Sequence, residues 1–411
     1  MAESPTRFFG LDVHKEYFVA VGVNAQREVV FGPQRVSNYQ LDDWVCRVLT
    51  PQDAVVLEMT TNTYLFYDTL LPQVHSVIAV HPPSVPLVTN VAVKTDKKAA
   101  LALAQLYAAG MLTGVWIPPH AVRDLRALIA RREKMVHLAT MAKNRLHSLE
   151  HRNHLILPEE NPFSLEQRTW WESLPLSATE QFLMRSDLDT LAFAQKQLEQ
   201  AEEQIQQESA QDERIPLLIQ LPGVAMLTAI TILAAIGDIT RFPTAKKLVG
   251  YAGLGTRVHD SGMTHNSGRI TKAGRKDLRR ALVNAANHAV EHHPHCEVTA
   301  TFSRQKEFER LEPHLGRSKA VVAIARKLLV AVWHVLSEKV ADRFADPQNV
   351  ASSFLHHAYQ VGTRNLPNGQ SALAFTREQL DRLEIGKDLQ QINWGSKPLH
   401  LPPSTLLIEK E

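Results

Sequence analysis

The amino-acid sequence predicts an α/β domain, then a coiled-coil-like helical linker, then a mainly α-helical domain. Three observations predict this. Residues 8–80 alternate short β-rich runs with helical stretches. From about 178 to 209 the apolar residues Met184, Leu191, Leu198 and Ile205 fall seven apart. Beyond that point the apolar runs are long and rich in Ala, Leu and Ile, as in buried helices. A chain of 411 residues suits two or three domains. The expected boundaries are 1–155, 156–212, 213–340 and a C-terminal extension, 341–411.

Taken in order, "FFGLDVHKEYFVAVGV" (8–23) reads as two β-rich runs broken near His14-Lys15, and "EVVFG" (28–32) as a third. All three are short, as in a meander. A helical stretch follows at 39–49. "AVVLE" (54–58) and "SVIAV" (76–80) read as buried strands on either side of a helix at 62–71. "VKTDKKAALALAQLYAAG" (93–110) reads as a helix that stops at Gly110. Three strands, then helix, strand, helix, strand is the order of an RNase H-like fold.

Three acids stand at element ends: Asp12 on the first strand, Glu58 on "VVLE", and Asp96 opening the late helix. An acid at the end of a buried strand is costly unless something pairs with it. Acids converging from separate elements suit a hard cation, Mg²⁺ above all, for phosphate chemistry. The spacing equally fits a helix cap at Asp96 and strand-end surface acids at the other two.

Residues 120–153 form one long helical pattern with an apolar stripe through Leu125, Leu128, Ile129, Val136 and Leu146. Arg123, Arg126, Arg131, Arg132, Lys134, Lys143, Arg145 and Arg152 outnumber three acids there. This is either a solvated helix face or a nucleic-acid contact. "LPEENPF" (157–163) is a loop. The heptad seam at 184–205 suits a modest dimerisation or spacer helix, since its second apolar position is weak. "LPGVAMLTA" (221–229) has the form of a helix-hairpin-helix turn, in which Gly223 would let backbone N–H groups approach a phosphate.

"HDSGMTHNSGRITKAGRKDLRRAL" (259–282) reads as a loop that becomes a helix. It carries Ser261 and Ser267, each before a glycine, and then Arg269, Lys272, Arg275, Lys276, Arg279 and Arg280. "GRSKAVVAIARKLLVAVWHVL" (316–336) reads as a long amphipathic helix. In the extension, "FTREQLDRLEIG" (375–386) has Thr376 and Gln379 at capping-box spacing and Gly386 as a stop, predicting one short helix.

Bulk composition narrows the class. Hydrophobic residues make up 44% and charged residues 21% of the chain, so sizeable cores are possible. A net charge of +2 means that affinity for a polyanion must come from local patches. Cys46 and Cys296 are too few for a disulfide framework or a cysteine zinc site, which fits a reducing cytoplasm. The N-terminus has no apolar signal core, and the longest apolar run, 224–236, is too short for a membrane span, so no membrane partner is expected. "HHPH" (292–295) fits a solvated helix end better than a metal site.

The motifs "GLDVHKE", "LEMTTNTY" and "VKTDKKAA" resemble the N-terminal DEDD, RuvC-like domain of the insertion sequence one-ten family of transposases, to which Piv-type DNA invertases are related. "LIQLPGVAMLTAITILAAIGDITRF", "AKKLVGYAGL" and "DSGMTHNSGRITKAGRKDLRRAL" resemble the family's C-terminal transposase domain. The likeness spans roughly residues 7–340. It implies a recombinase guided by a structured bridge RNA, acting on donor and target double-stranded DNA as a dimer or tetramer in the bacterial cytoplasm, at the nucleoid. It also implies Mg²⁺ at Asp12, Glu58 and Asp96, and a serine nucleophile, which Ser261 matches in the order acid-Ser-Gly; Ser267 is the runner-up. Lys94 belongs to the same motif as Asp96 and joins the expected nucleic-acid contacts. The chain departs from the family in one place. The pattern Lys-Thr-Asp-x-x-Asp-Ala puts its second Asp on Ala99, leaving three of four carboxylates. Two other readings stay open: a Holliday-junction-type metal nuclease, and a nucleic-acid-binding protein whose catalytic site has decayed.

Overall fold

The computed structural model describes residues 4–81, 95–158, 161–210, 212–261, 264–290, 299–395 and 397–408. The chain divides into two compact units, residues 1–119 and 120–411.

The first unit holds β1 (Arg7–Val13), β2 (Tyr17–Asn24), β3 (Val29–Ser37), α1 (Leu41–Val48), β4 (Asp53–Glu58), α2 (Thr63–Leu70), β5 (Ser76–Val80) and α3 (Asp96–Ala108). The strand order is β3-β2-β1-β4-β5. The first three strands form the expected antiparallel meander, and β4 and β5 add in parallel to β1. β3 runs on through Pro33 to Ser37, which an edge strand tolerates because one side needs no amide donor.

One face of the sheet packs Phe9, Leu11, Phe18 and Leu57 on Trp44 of α1 and Phe66 and Leu70 of α2. The other face packs on α3: Val56 and Val80 meet Ala99 and Leu103, and Val19 and Val21 meet Ala100. Gly10 makes this second contact close. A Cβ there would lie 2.0 Å from the Ala100 carbonyl oxygen and 2.7 Å from the Ala104 nitrogen. At the opposite end of β1 and β4, the buried Asp53 takes both Nε (2.8 Å) and Nη2 (2.7 Å) of Arg7. The amide of Thr50 donates to the same carboxylate at 2.6 Å, so this buried charge is paired.

The second unit is mostly helical. It comprises α4 (His120–Asn153), α5 (Arg168–Glu172), α6 (Ala178–Ala210), α7 (Ile215–Ile219), α8 (Met226–Ile236), α9 (Ala245–Tyr251), the hairpin β6 (Thr256–Ser261) and β7 (Thr264–Ile270), and α10 (Lys276–Val290). Then follow α11 (Thr299–Leu315), α12 (Arg317–Glu338), α13 (Pro347–Val361), α14 (Ala372–Arg382), the hairpin β8 (Gln391–Trp394) and β9 (Lys397–His400), and α15 (Thr405–Ile408).

Several expectations change here. By contacts, α4 belongs to the second unit. The heptad seam of α6 is filled within the chain. α4 runs antiparallel to α6, as the pairs Arg132–Glu202, Arg145–Asp187 and Asn153–Glu180 require. Met184, Leu188 and Leu191 pack with Ala142, Leu146 and Leu149 of α4. Residues 259–270, read as loop, include most of the β6–β7 hairpin. The extension holds more than the one expected helix, and Phe354, Leu355, Phe375, Leu380 and Ile392 are buried in the same core as α8, α10 and α12. The cap of α14 is Ser371, whose side chain accepts from the Ala374 amide; Thr376 and Gln379 lie inside the helix and are buried.

α12 is long and apolar enough to cross a membrane by length and composition. Ten of its residues are nevertheless buried in the unit, the position of a core helix.

Candidate active site

The candidate site residues anticipated from the sequence fall into two groups, one in each unit. In the first unit, Asp12 and Glu58 stand at the carboxyl ends of the adjacent parallel strands β1 and β4. The register Leu11–Leu57 puts them one residue further along neighbouring strands. The carboxyl ends of parallel strands are where α/β sheets hold ligands. Asp96 opens α3, and Thr95 caps the helix by accepting from the Lys98 amide at 3.4 Å. The close seat of α3 on Gly10 therefore sets the distance between Asp96 and the strand-end acids, since Gly10 and Asp12 share a face of β1. Ala99, one turn into α3, is buried against Val56, Val80 and Leu103.

The structure adds residues that sequence reasoning passed over. His14 Nε2 lies 3.5 Å from Asp12 Oδ2 and 3.5 Å from Asp96 Oδ2. The ligand atoms of Asp12, His14 and Asp96 all lie within 4.8 Å of one another, close enough to share one metal ion. The Tyr17 hydroxyl donates to Asp96 Oδ2 at 3.0 Å. That hydrogen bond, with burial and the Asp96 charge, pushes the phenol above its ordinary pKa, so Tyr17 stays a donor. The Arg35 guanidinium lies over the Tyr17 ring at 3.7 Å. Two side-chain amides clamp the β1–β2 turn. Asn38 Nδ2 donates to the carbonyls of His14 (2.9 Å) and Lys15 (3.0 Å), and Asn62 Nδ2 donates to His14 at 3.2 Å. The alternation Asp12-x-His14 was the available signal, because residues two apart on an extended chain point the same way.

The donor set fits a divalent cation. It offers carboxylate oxygens from two elements, Asp12 on β1 and Asp96 on α3, and one imidazole nitrogen; Glu58, expected from the sequence as a third acid, is not part of this close group.

In the second unit, Ser261 is the last residue of β6 and pairs with Thr264, the first residue of β7. Ser267 pairs with Val258, further down the ribbon. The base of the hairpin is locked to its neighbours by backbone hydrogen bonds: Thr271 N to Gly255 O (2.8 Å), Lys272 N to Gly253 O (3.1 Å) and Arg275 N to Tyr251 O (2.9 Å). Gly253 and Gly274 permit this closeness. Both have positive φ, and a Cβ on Gly274 would lie 2.2 Å from the Tyr251 carbonyl oxygen.

The predicted nucleic-acid contacts divide into two kinds. Many are engaged within the chain. Arg126 donates to the carbonyls of Ala234 (2.7 Å) and Ala235 (2.9 Å) at the end of α8. Arg131 donates to Gln197, Arg132 pairs with Glu202, and Arg145 pairs with Asp187. The Lys143 ammonium sits 5.4 Å from the Phe163 ring centroid, and Arg123 is half-buried. Arg275 pairs with Asp277, Arg279 donates to Ala252 O at 2.9 Å, and Arg280 pairs with Glu133. By contrast Arg269, Lys272 and Lys276 are exposed. Gly223 has a packing role: a Cβ there would lie 2.1 Å from the Ala285 carbonyl oxygen, so the bare glycine admits α10. Lys94 and "HHPH" lie outside the described residues.

Comparison with known proteins gives a consistent set. A DEDD transposase domain of the IS110 type matches residues 9–150. The domain described as "Transposase IS116/IS110/IS902 family" matches residues 215–300. A Pseudomonas aeruginosa protein named "Probable family 20 transposase" is 25% identical over 339 residues, covering 81% of this chain and 98% of its own length. The "Transposase for insertion sequence element IS1111A" of Coxiella burnetii is 24% identical, covering 81% of this chain and 90% of its own. The "Pilin gene-inverting protein" of Moraxella bovis is 28% identical over 255 residues, 60% of this chain and 66% of its own.

Proposed function

From the premise that the chain belongs to the IS110 family of transposases, we propose that it is an RNA-guided DNA recombinase that cuts and rejoins strands through a serine–DNA link. The order β3-β2-β1-β4-β5 with acids at the ends of β1 and β4 supports an RNase H-like, RuvC-like first unit. The observation that supports the serine role is the place of Ser261, at the end of β6 in a hairpin whose base is held by close backbone contacts.

In the proposed step the Ser261 oxygen attacks a DNA phosphorus. An oxygen–phosphorus bond forms to the serine, and the bond from phosphorus to the 3′ oxygen breaks. The serine proton is taken up as the attack proceeds, and a proton returns to the departing 3′ oxygen. A serine hydroxyl needs such help because it is a weak nucleophile at its own pKa. The freed 3′-hydroxyl then attacks the phosphoserine of a partner strand, which restores the serine. A divalent cation held by Asp12, Glu58 and Asp96 would supply charge neutralisation at phosphate. Arg269 on β7 and Lys272 and Lys276 beyond it, all exposed, would hold DNA backbone in this reading. Guide RNA and a homo-oligomer come from the family resemblance. Sequencing the RNA that copurifies with the protein tests the first, and light scattering of the complex tests the second.

Ala99 favours one further reading, a protein that still binds nucleic acid but no longer cuts it. Denaturing electrophoresis of labelled DNA separates the possibilities. A slow protein-linked band that needs Ser261 is the expected result. Cleavage with no such band would point to a metal nuclease, and binding with no cleavage, under Mg²⁺ or Mn²⁺, to the decayed site.

A further inference from the structure

We propose that His14 is itself a metal ligand, taking the coordination place that Ala99 leaves without a carboxylate, and that it tilts the site towards Mn²⁺ over Mg²⁺. This rests on the reading that Asp12 and Asp96 hold a divalent cation.

The geometry points there from three sides. First, the imidazole is aimed at the carboxylates. Its Nε2 atom is buried, has no hydrogen-bond partner among the described residues, and stands 3.5 Å from one oxygen of each acid. A cation bound at about 2.1 Å to every ligand spaces neighbouring ligand atoms roughly 3 Å apart and opposed ones roughly 4.2 Å. The observed group, within 4.8 Å throughout, needs only slight closure to bind.

Second, the ring is held in advance. It lies against Tyr17 with centroids 4.7 Å apart and planes tilted by 32°. The His14 amide donates to the Tyr17 carbonyl at 2.8 Å, and Asn38 and Asn62 hold the His14 carbonyl. Tyr17 also fixes Asp96 through its hydroxyl, so one residue positions two ligands. Supporting contacts of this kind orient ligands and raise metal affinity.

Third, the alternative fourth ligand is missing. Position 99 is an alanine in an apolar seat between Val56, Val80 and Leu103. The chemistry of the remaining set then decides the metal. Mg²⁺ is held by oxygen ligands and keeps much of its water, so an imidazole adds little to it. Mn²⁺ accepts carboxylates as readily and, as a transition ion, also takes nitrogen.

The test is Mn²⁺ binding to the full chain, read by the electron paramagnetic resonance signal of free Mn²⁺, with Mg²⁺ as competitor. The unaltered protein should prefer Mn²⁺ by about tenfold or more, and His14→Ala should lose Mn²⁺ affinity by at least about tenfold while Mg²⁺ affinity moves by less than about threefold. His14→Gln, which keeps size and polarity, should behave as His14→Ala. Both should melt as the unaltered protein does, since the clamp on this turn uses backbone carbonyls. Asp96→Asn should weaken both ions. Unchanged Mn²⁺ affinity in His14→Ala, or an equal loss of both ions, overturns the role of His14 while leaving the carboxylate site standing. Unchanged binding in Asp96→Asn and Asp12→Asn overturns the carboxylate site and the inference with it.

Discussion

The carboxylate group of the first unit and the serine hairpin of the second are built in opposite ways. Asp12 and Asp96 sit on a sheet and a helix pressed together at Gly10, and Tyr17, Asn38 and Asn62 hold the surrounding atoms. Ser261 stands at the end of a two-stranded ribbon fastened at its base by Gly253 and Gly274. A metal site needs its ligands fixed to a fraction of an ångström before the ion arrives, so it belongs on rigid, packed elements. A nucleophile that must meet a large duplex can stand at the end of a short ribbon, provided that the ribbon starts from a fixed place. The difference predicts that each site can be broken without the other.

The largest effect should come from Ser261. In Mn²⁺, or in an Ala99→Asp background with Mg²⁺, Ser261→Ala should cut the covalent protein–DNA band by at least roughly a thousandfold. Its melting point should hardly move, since removing one hydroxyl oxygen changes neither charge nor backbone and should stay within about 0.5 kcal/mol. Ser267→Ala should be far milder. The reverse ranking would move the nucleophile six residues along the hairpin, and a band that persists in both variants would mean that neither serine attacks.

Next come the two glycines, used as a crossed pair. Gly10→Ala sets a methyl 2.0 Å from the Ala100 carbonyl oxygen, so α3 must lift off the sheet. Overpacking of this severity should cost about 3 kcal/mol and weaken Mn²⁺ binding. Gly274→Ala meets the Tyr251 carbonyl oxygen at 2.2 Å with φ at +130°. It should reduce the covalent band and leave Mn²⁺ affinity intact. If Gly274→Ala also weakened Mn²⁺ binding in the folded protein, the independence of the two sites would be wrong.

Ala99→Asp tests the metal site from inside. A carboxylate in the apolar seat between Val56 and Val80 should destabilise the cation-free protein by about 2 kcal/mol. Mg²⁺ should recover that loss, and strand transfer in Mg²⁺ should rise strongly. Melting curves with and without Mg²⁺ check the first claim and a recombination assay the second. Equal melting in both conditions would place position 99 outside the coordination sphere.

What could be read in the sequence follows the same division. The sheet was legible because β2, β4 and β5 are largely apolar runs, and acids stood out at the ends of β1 and β4 and at the start of α3. His14 and Tyr17 were not, because their role appears only when the β1–β2 turn folds back against α3. The serine hairpin was read as loop because "HDSGMTHNSGR" has neither an apolar alternation nor a buried run to mark strands. Its anchor depends on Gly253 and Gly274 meeting across some twenty residues of sequence. The arginines of α4 looked like a nucleic-acid face because their acceptors, Glu202, Asp187 and the carbonyls of α8, lie far along the chain. The extension's burial was not legible because polar residues do core work in it. Arg377 is buried and donates to the carbonyls of Pro402, Gly386 and Leu389, while Asp381 accepts from Ser404 and Thr405.

The smallest predicted effect sharpens the contrast through pH, by loading the second unit alone. His357 on α13 is 3% exposed and packs its ring near Phe375. It borders a cavity of about 550 Å³ shared with His288, Asp346 and His356. Burial, with a smaller contribution from the His356 charge, lowers its pKa from 6.5 to about 4. The unfolded chain therefore binds this proton before the folded one does, and stability must fall as pH drops below 6.5. The loss continues until the folded pKa is reached near 4. At pH 5.5 it should be about 1 kcal/mol from this residue. His357→Phe removes the titrating group while keeping an aromatic ring in the core. Thermal melts of both proteins at pH 7.5 and pH 5.5 should differ in slope, with the variant losing less on acidification. Mn²⁺ binding at pH 7.5 should be the same in both. Parallel losses in the two proteins would mean that acid acts on the fold through groups other than His357.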